Sequence, residues 1–165
     1  EKAHQIAIDN NLHLVLSQVL QYQGYIAGQV EEWQVSCDLS KESIRVSEKL
    51  KESDFGAIAE VNSNLFFSLL NWSEAERKLN NFGKALDACN RAVALAHQQE
   101  NVLWQAYALE GIAEIHHELG KKEEAQLHYQ QALELFYENN ALSDMEILIQ
   151  TMKEQNYSIK RRTWF

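Results

Sequence analysis

The sequence predicts an all-α protein: a right-handed superhelical array of antiparallel helix hairpins, an α-solenoid, with a closing helix at the C-terminal end. Three observations carry that prediction. The 165 residues contain no proline, whereas average usage would supply about eight, and proline is excluded above all from helix interiors. Apolar residues recur at helical spacing along most of the chain. The chain also repeats itself at an interval long enough for one hairpin.

The repeat is clearest in Leu109 to Phe136, LEGIAEIHHELGKKEEAQLHYQQALELF. Set against the chain 40 residues earlier, Leu109, Ala125, Tyr129, Ala132 and Leu135 fall opposite Leu69, Ala85, Cys89, Ala92 and Leu95. Set 89 residues earlier, Leu109, Ala113, Ala125, Tyr129, Ala132 and Leu135 meet Leu20, Gly24, Ser36, Ser40, Ser43 and Val46. Ala3 and Ile6 stand 40 before Ser43 and Val46, so Ile6, Val46, Leu95 and Leu135 mark equivalent points separated by 40, 49 and 40 residues. Small residues let two antiparallel helices approach closely, while large ones fill the space to the next pair.

The elements follow in order. Residues 1–11 read as the tail of a preceding repeat helix. A first repeat, 12–53, holds one helix from about Leu12 to Val30, with Leu12, Leu16, Val19, Ile26 and Val30 on its buried side, and a second from about Gln34 to Glu52. The second repeat, 54–100, has an extended first helix, Asp54 to Leu79, and a partner from Lys84 to Gln99. The third, 101–140, pairs Val102–Leu119 with Glu123–Glu138. A closing helix, 141–155, spaces Leu142, Met145, Leu148 and Met152 by three, three and four, and 156–165 is a basic tail or linker. Asn80 and Gly120 tolerate the left-handed conformation that ends a helix, and Ser53–Asp54 offers cap oxygens for a new one.

With those residues aligned, LEGIAEIHHELGKKEEAQLHYQQAL resembles a tetratricopeptide repeat. Leu109, Ile112, Ala113, His116, Gly120, Ala125, Tyr129 and Ala132 occupy the family's large, leucine-like, small, aromatic, turn-glycine, alanine, aromatic and alanine places. The second repeat matches in Phe82, Ala85, Ala92 and Leu95 but sets Ser73 and Glu76 where Ala113 and His116 stand. The first keeps Leu20 and Gly24 and replaces alanines with Ser36 and Ser43. The 40-residue period resembles longer-helix variants in bacterial signalling proteins.

Composition narrows the function. The balance of 15 basic to 24 acidic residues gives −9, and Lys160, Arg161 and Arg162 hold three of the positive charges, so the remainder is near −12. Such a surface repels phosphate backbones and anionic lipid, which argues against nucleic-acid and membrane-surface partners. The chain opens EKAHQ, with no basic start before an apolar run and no initiator methionine; the expectation is a segment of a larger cytoplasmic protein. Cys37 and Cys89 lack metal-ligand spacing and read as reduced, packed thiols.

No catalytic or cofactor string occurs: GxSxG, P-loop, GxGxxG and HExxH are all missing from the sequence. The reading is therefore of a non-enzyme without cofactor. His117 shares a helix face with Glu110 and Glu114, yet one imidazole and two carboxylates fall short of the usual three or four supported ligands, so no metal is expected. His116 reads as a packed ring, and Trp33, Trp72 and Trp104 as core residues.

The resemblance implies a groove lined by the first helix of each pair. Carried over, the partner-binding residues are Gln18, Gln21 and Tyr25; Phe67, Asn71, Glu74 and Arg77; and Tyr107, Glu110, Glu114 and His117. Glu110 and Glu114 stand against a site for chaperone carboxylate termini. The implied partner is a protein or peptide with basic and apolar residues, and the tail IKRRTWF has that character, making self-association through the tail an expectation. The rival reading is a ligand-free scaffold or dimerisation spacer beside an output domain such as a GGDEF-type diguanylate cyclase.

Overall fold

The computed structural model describes residues 2–52 and 57–159, with the side chains of residues 2–8, 10 and 52 outside that description. Seven α-helices and no strand occur among the described residues: α1 Lys2–Gln29, α2 Trp33–Glu52, α3 Ile58–Lys78, α4 Phe82–Gln98, α5 Val102–Glu118, α6 Lys122–Glu138 and α7 Leu142–Glu154. The expected all-α architecture is what forms. The chain divides into two compact units, Glu1–Arg91 and Ala92–Phe165, with the boundary inside α4.

Six helix ends among the described residues share one chemistry. Glu31, Asn80, Glu100, Gly120, Asn140 and Asn156 all have positive φ, between 50° and 72°. That left-handed residue turns the following amide back onto the helix: Asn81 N donates to Glu76 O at 2.8 Å, Lys121 N to His116 O at 2.9 Å and Ala141 N to Phe136 O at 2.9 Å. The last carbonyls are thereby satisfied without water. Asn80 and Gly120 fulfil the sequence expectation, whereas Glu31 and Glu100 carry no local signal for this conformation. The Ser53–Asp54 cap lies outside the described residues, as does the side chain of Ile6.

In the first unit α1 packs on α2 and α3, and α2 packs on α3. The contact is made by small polar residues. Ser17, Gln21, Gly24 and Ala27 of α1 are buried, together with Ser36, Ser40, Ser43 and Ser47 of α2. A Cβ on Gly24 would lie 2.9 Å from Ser40 Oγ, so only glycine permits this crossing without displacement. The hydroxyls are linked: Ser43 Oγ donates to Ser17 O at 2.8 Å, Ser68 Oγ to Ser43 Oγ at 2.8 Å, and Asn64 Nδ2 to Ser17 Oγ at 3.1 Å. Val46, Leu50 and Val61 form an apolar cluster beside them, with Leu14 and Leu20 packed against it.

Three sequence expectations are corrected here. The first helix begins at Lys2 rather than near Leu12, so residues 2–11 continue into it without a turn. Leu12, Leu16, Val19, Ile26 and Val30, expected inside, are exposed at 64%, 44%, 46%, 58% and 61%. The reason is steric: the serine row of α2 demands small partners, so α1 turns Ser17, Gly24 and Ala27 inward and its bulky apolar residues outward. Trp33, Trp72 and Trp104 are half-buried rather than core. Trp72 lies under the Lys41 ammonium at 5.6 Å and the Arg91 guanidinium at 5.7 Å.

Glu76 ties α2 to α3. It is 1% exposed, and its carboxylate accepts from Trp72 Nε1 at 2.9 Å, Asn81 Nδ2 at 2.8 Å and the Cys37 thiol at 3.2 Å, with Lys41 Nζ at 3.0 Å. Burial alone would raise its pKa, but the donors, Trp72 foremost, outweigh that and hold it at about 2. Cys37 and Cys89 are both buried and neither is in a disulfide, with Cys89 Sγ 3.0 Å from Ser73 Oγ.

The second unit has a drier core. α5 packs on α6 and α6 on α7, around Ala106, Ala113, Ala125, Tyr129, Ala132, Leu133, Phe136, Leu148 and Met152. Ala125 and Ala132 are fully buried where the repeat places small residues. His116 is half-buried and stacks on His128 with ring centroids 5.6 Å apart. Burial, assisted by repulsion from His128 and Lys121, lowers its pKa.

Candidate functional site

The inward turn of Ser17, Gly24 and Ala27 fixes where the rest of α1 points. One turn around the helix, Gln21, Tyr22 and Tyr25 meet Phe67, Leu70, Asn71 and Glu74 of α3 across a cleft of about 480 Å³. Five of the expected groove residues, Gln21, Tyr25, Phe67, Asn71 and Glu74, converge there. Asn71 Nδ2 donates to Gln21 O at 3.2 Å, which sets the spacing of the two walls. Tyr25 is 51% exposed, Tyr22 63% and Phe67 38%, so three aromatic faces remain accessible around the Glu74 carboxylate.

Two expected residues do not join them. Gln18 is half-buried and does not line the cleft. Arg77 is buried at 8% exposure and turns inward. Tyr22 and Leu70 were missed by sequence reasoning, although each stands three residues from an expected member, Tyr25 and Phe67, and so shares its helix face.

In the second unit, Tyr107, Glu110, Glu114 and His117 lie along α5 as their spacing requires. Tyr107 donates its hydroxyl to Asp144 Oδ1 of α7 at 2.8 Å. Burial, followed by the charges of Asp144 and Glu110, pushes Tyr107 up to about 12. Glu110 is pushed up to about 7, first by burial and then by repulsion from Glu114 and Asp144. The Asp144 carboxylate is a neighbour that repeat spacing does not announce, because it arrives from the closing helix.

His117 is covered by the chain's own end. Its Nδ1 lies 2.9 Å from the Tyr157 hydroxyl, and the two rings meet edge to face at 5.5 Å. Tyr157 also tilts over Tyr129 at 5.3 Å. Ser158 secures the segment, its amide donating to Gln126 Oε1 at 2.9 Å while its carbonyl accepts from Gln126 Nε2 at 2.7 Å. Lys160 to Phe165 lie outside the described residues. A further cleft of about 340 Å³ between the end of α4, α5 and α6 is lined by His97, Gln105, Leu109, Glu134 and Glu138, none of them expected.

Among the described residues no group of three or more His, Cys, Asp or Glu side chains could hold a metal ion, and no helix is long and apolar enough to cross a membrane.

Residues 64–138, somewhat less than half the chain, match the family model of the tetratricopeptide repeat. The matched segment runs from α3 to the end of α6 and supports a tetratricopeptide-repeat assignment. Repeats of this family generally mediate protein–protein interaction and are typically non-catalytic. Neither the curated proteins nor the solved structures yielded a match.

Proposed function

We propose that the chain is a non-catalytic, peptide-binding repeat segment of a larger cytoplasmic regulatory or signalling protein, and that the α1–α3 cleft is its binding site. The observation carrying this reading is the cleft itself: Tyr22, Tyr25 and Phe67 offer apolar contact around Glu74 and the polar Gln21 and Asn71. Accessible aromatics beside one carboxylate, on a chain of net charge −9, favour an extended or helical ligand that presents apolar and basic side chains together.

The chain's own tail, IKRRTWF, has that composition. A labelled peptide of this sequence is the direct probe. Titrated by fluorescence anisotropy, it should bind the protein lacking Lys160–Phe165, and the combined Tyr25→Ala and Glu74→Lys substitutions should weaken binding at least about tenfold, a loss of roughly 1.4 kcal/mol. Unchanged affinity in the double variant would remove the cleft as the site.

A further inference from the structure

The outer side of α1 carries an apolar seam that stands exposed among the described residues. Leu12, Val15, Val19, Tyr22, Ile26 and Val30 follow one another at intervals of three, four, three, four and four, and all are between 46% and 64% exposed. With Leu16 beside them they form a stripe on the side away from Ser17, Gly24 and Ala27, the residues that face α2. The stripe exposes on the order of 700 Å², close to the roughly 800 Å² that each partner contributes to a standard specific interface. Soluble monomers rarely leave so much contiguous apolar surface in water.

Two properties of the seam identify its occupant. It is palindromic about Val19: Ile26 lies seven residues after and Leu12 seven before, while Tyr22 and Val15–Leu16 flank it at three and at three and four. Two copies of α1 crossing antiparallel about a two-fold axis at Val19 would therefore set each Leu12 against the partner's Ile26 and each Val15–Leu16 pair against the partner's Tyr22, the self-complementary match a two-fold contact requires. The seam is also free of charge. No Asp, Glu, Lys or Arg occurs between Asn10 and Val30, although the chain carries −9 overall. Copies of one acidic protein repel each other over most of their surface, and α1 is where they can meet without opposing like charges.

We propose that the protein forms a two-fold homodimer through antiparallel packing of the outer face of α1. The contact is separate from the peptide cleft except at Tyr22, which borders both. Because apolar burial drives it while net charge opposes it, salt strengthens the dimer by screening, whereas salt weakens capture of a basic peptide.

Sedimentation velocity on the whole chain reads the association state. The wild type should sediment as a dimer at micromolar concentration, more completely at 0.5 M than at 0.05 M sodium chloride. Val19→Lys, on an exposed position and with unchanged far-ultraviolet circular dichroism, should weaken dimerisation at least about 100-fold by placing two like charges at the axis. Val19→Cys tests the geometry without disturbing packing: residue 19 should form a disulfide to residue 19 of the second copy under mild oxidation, and the distant pair made with Leu12→Cys alone should not. A monomer at 100 µM, or a dimer indifferent to Val19→Lys, would overturn the proposal. Cross-linking through Leu12→Cys but not Val19→Cys would overturn the antiparallel arrangement.

Discussion

The Trp72 indole nitrogen donates to Glu76 Oε1 across one helical turn at 2.9 Å, and that bond organises the junction of α2, α3 and the turn after α3. Glu76 would be costly to bury alone. Here its oxygens receive an indole, an amide and a thiol donor as well as the Lys41 ammonium, which offsets desolvation. The second repeat thus sets a satisfied carboxylate at the place that His116 takes in the third.

Removing the carboxylate strands those donors. Glu76→Ala should cost on the order of 2–4 kcal/mol in urea unfolding. The pH dependence has a defined sign, because a carboxylate held at about 2 is depressed below its unfolded value near 4.3. Its contribution is complete above that value and is lost as pH falls from about 4.5 towards 2. Glu76→Gln should flatten this acid limb of the stability profile.

Glu110 acts in the opposite direction. With its folded pKa raised to about 7, the folded state binds more protons than the unfolded state between about pH 4.5 and 7, so stability falls as pH rises through that interval. Glu110→Gln should remove the slope there and leave the Glu76 limb unchanged, as read by thermal melts at half-unit pH steps.

The closest helix crossings should resist enlargement. Gly24→Val would drive a branched side chain into Ser40 Oγ, already 2.9 Å from an added Cβ, and Ala132→Leu would overfill a site with no exposure. Each should cost on the order of 1–3 kcal/mol. Full stability in either variant would contradict the packing described for its unit.

The sequence made the helices legible because periodicity and the absence of proline act locally, and α2 to α7 begin and end within a few residues of where spacing puts them. The orientation of α1 was not legible in the same way. Leu12, Val19 and Ile26 have helical spacing whichever side is buried, and the deciding fact is the serine row of α2, which is visible only once Gly24 meets Ser40. The same distinction holds at the cleft. Tyr25, Phe67 and Glu74 follow from repeat register, whereas the Asp144 beside Tyr107 and the Tyr157 over His117 depend on how α7 and the residues after it fold back.

Among the described residues no cluster of three or more His, Cys, Asp or Glu side chains could hold a metal ion. Thermal melts with and without a strong chelator should coincide, and a midpoint lowered by several degrees would indicate a structural ion.

Entry of a basic, aromatic peptide into the cleft between α1 and α3 is open to direct test. Amide chemical-shift mapping during titration with the IKRRTWF peptide, on protein lacking Lys160–Phe165, tests it residue by residue. Saturable shifts are expected at Gln21, Tyr22, Tyr25, Phe67, Asn71 and Glu74, reduced at high salt and requiring at least about tenfold more peptide in the Glu74→Lys, Tyr25→Ala double variant. Shifts confined to α5–α7, or no saturable shifts at millimolar peptide, would contradict it.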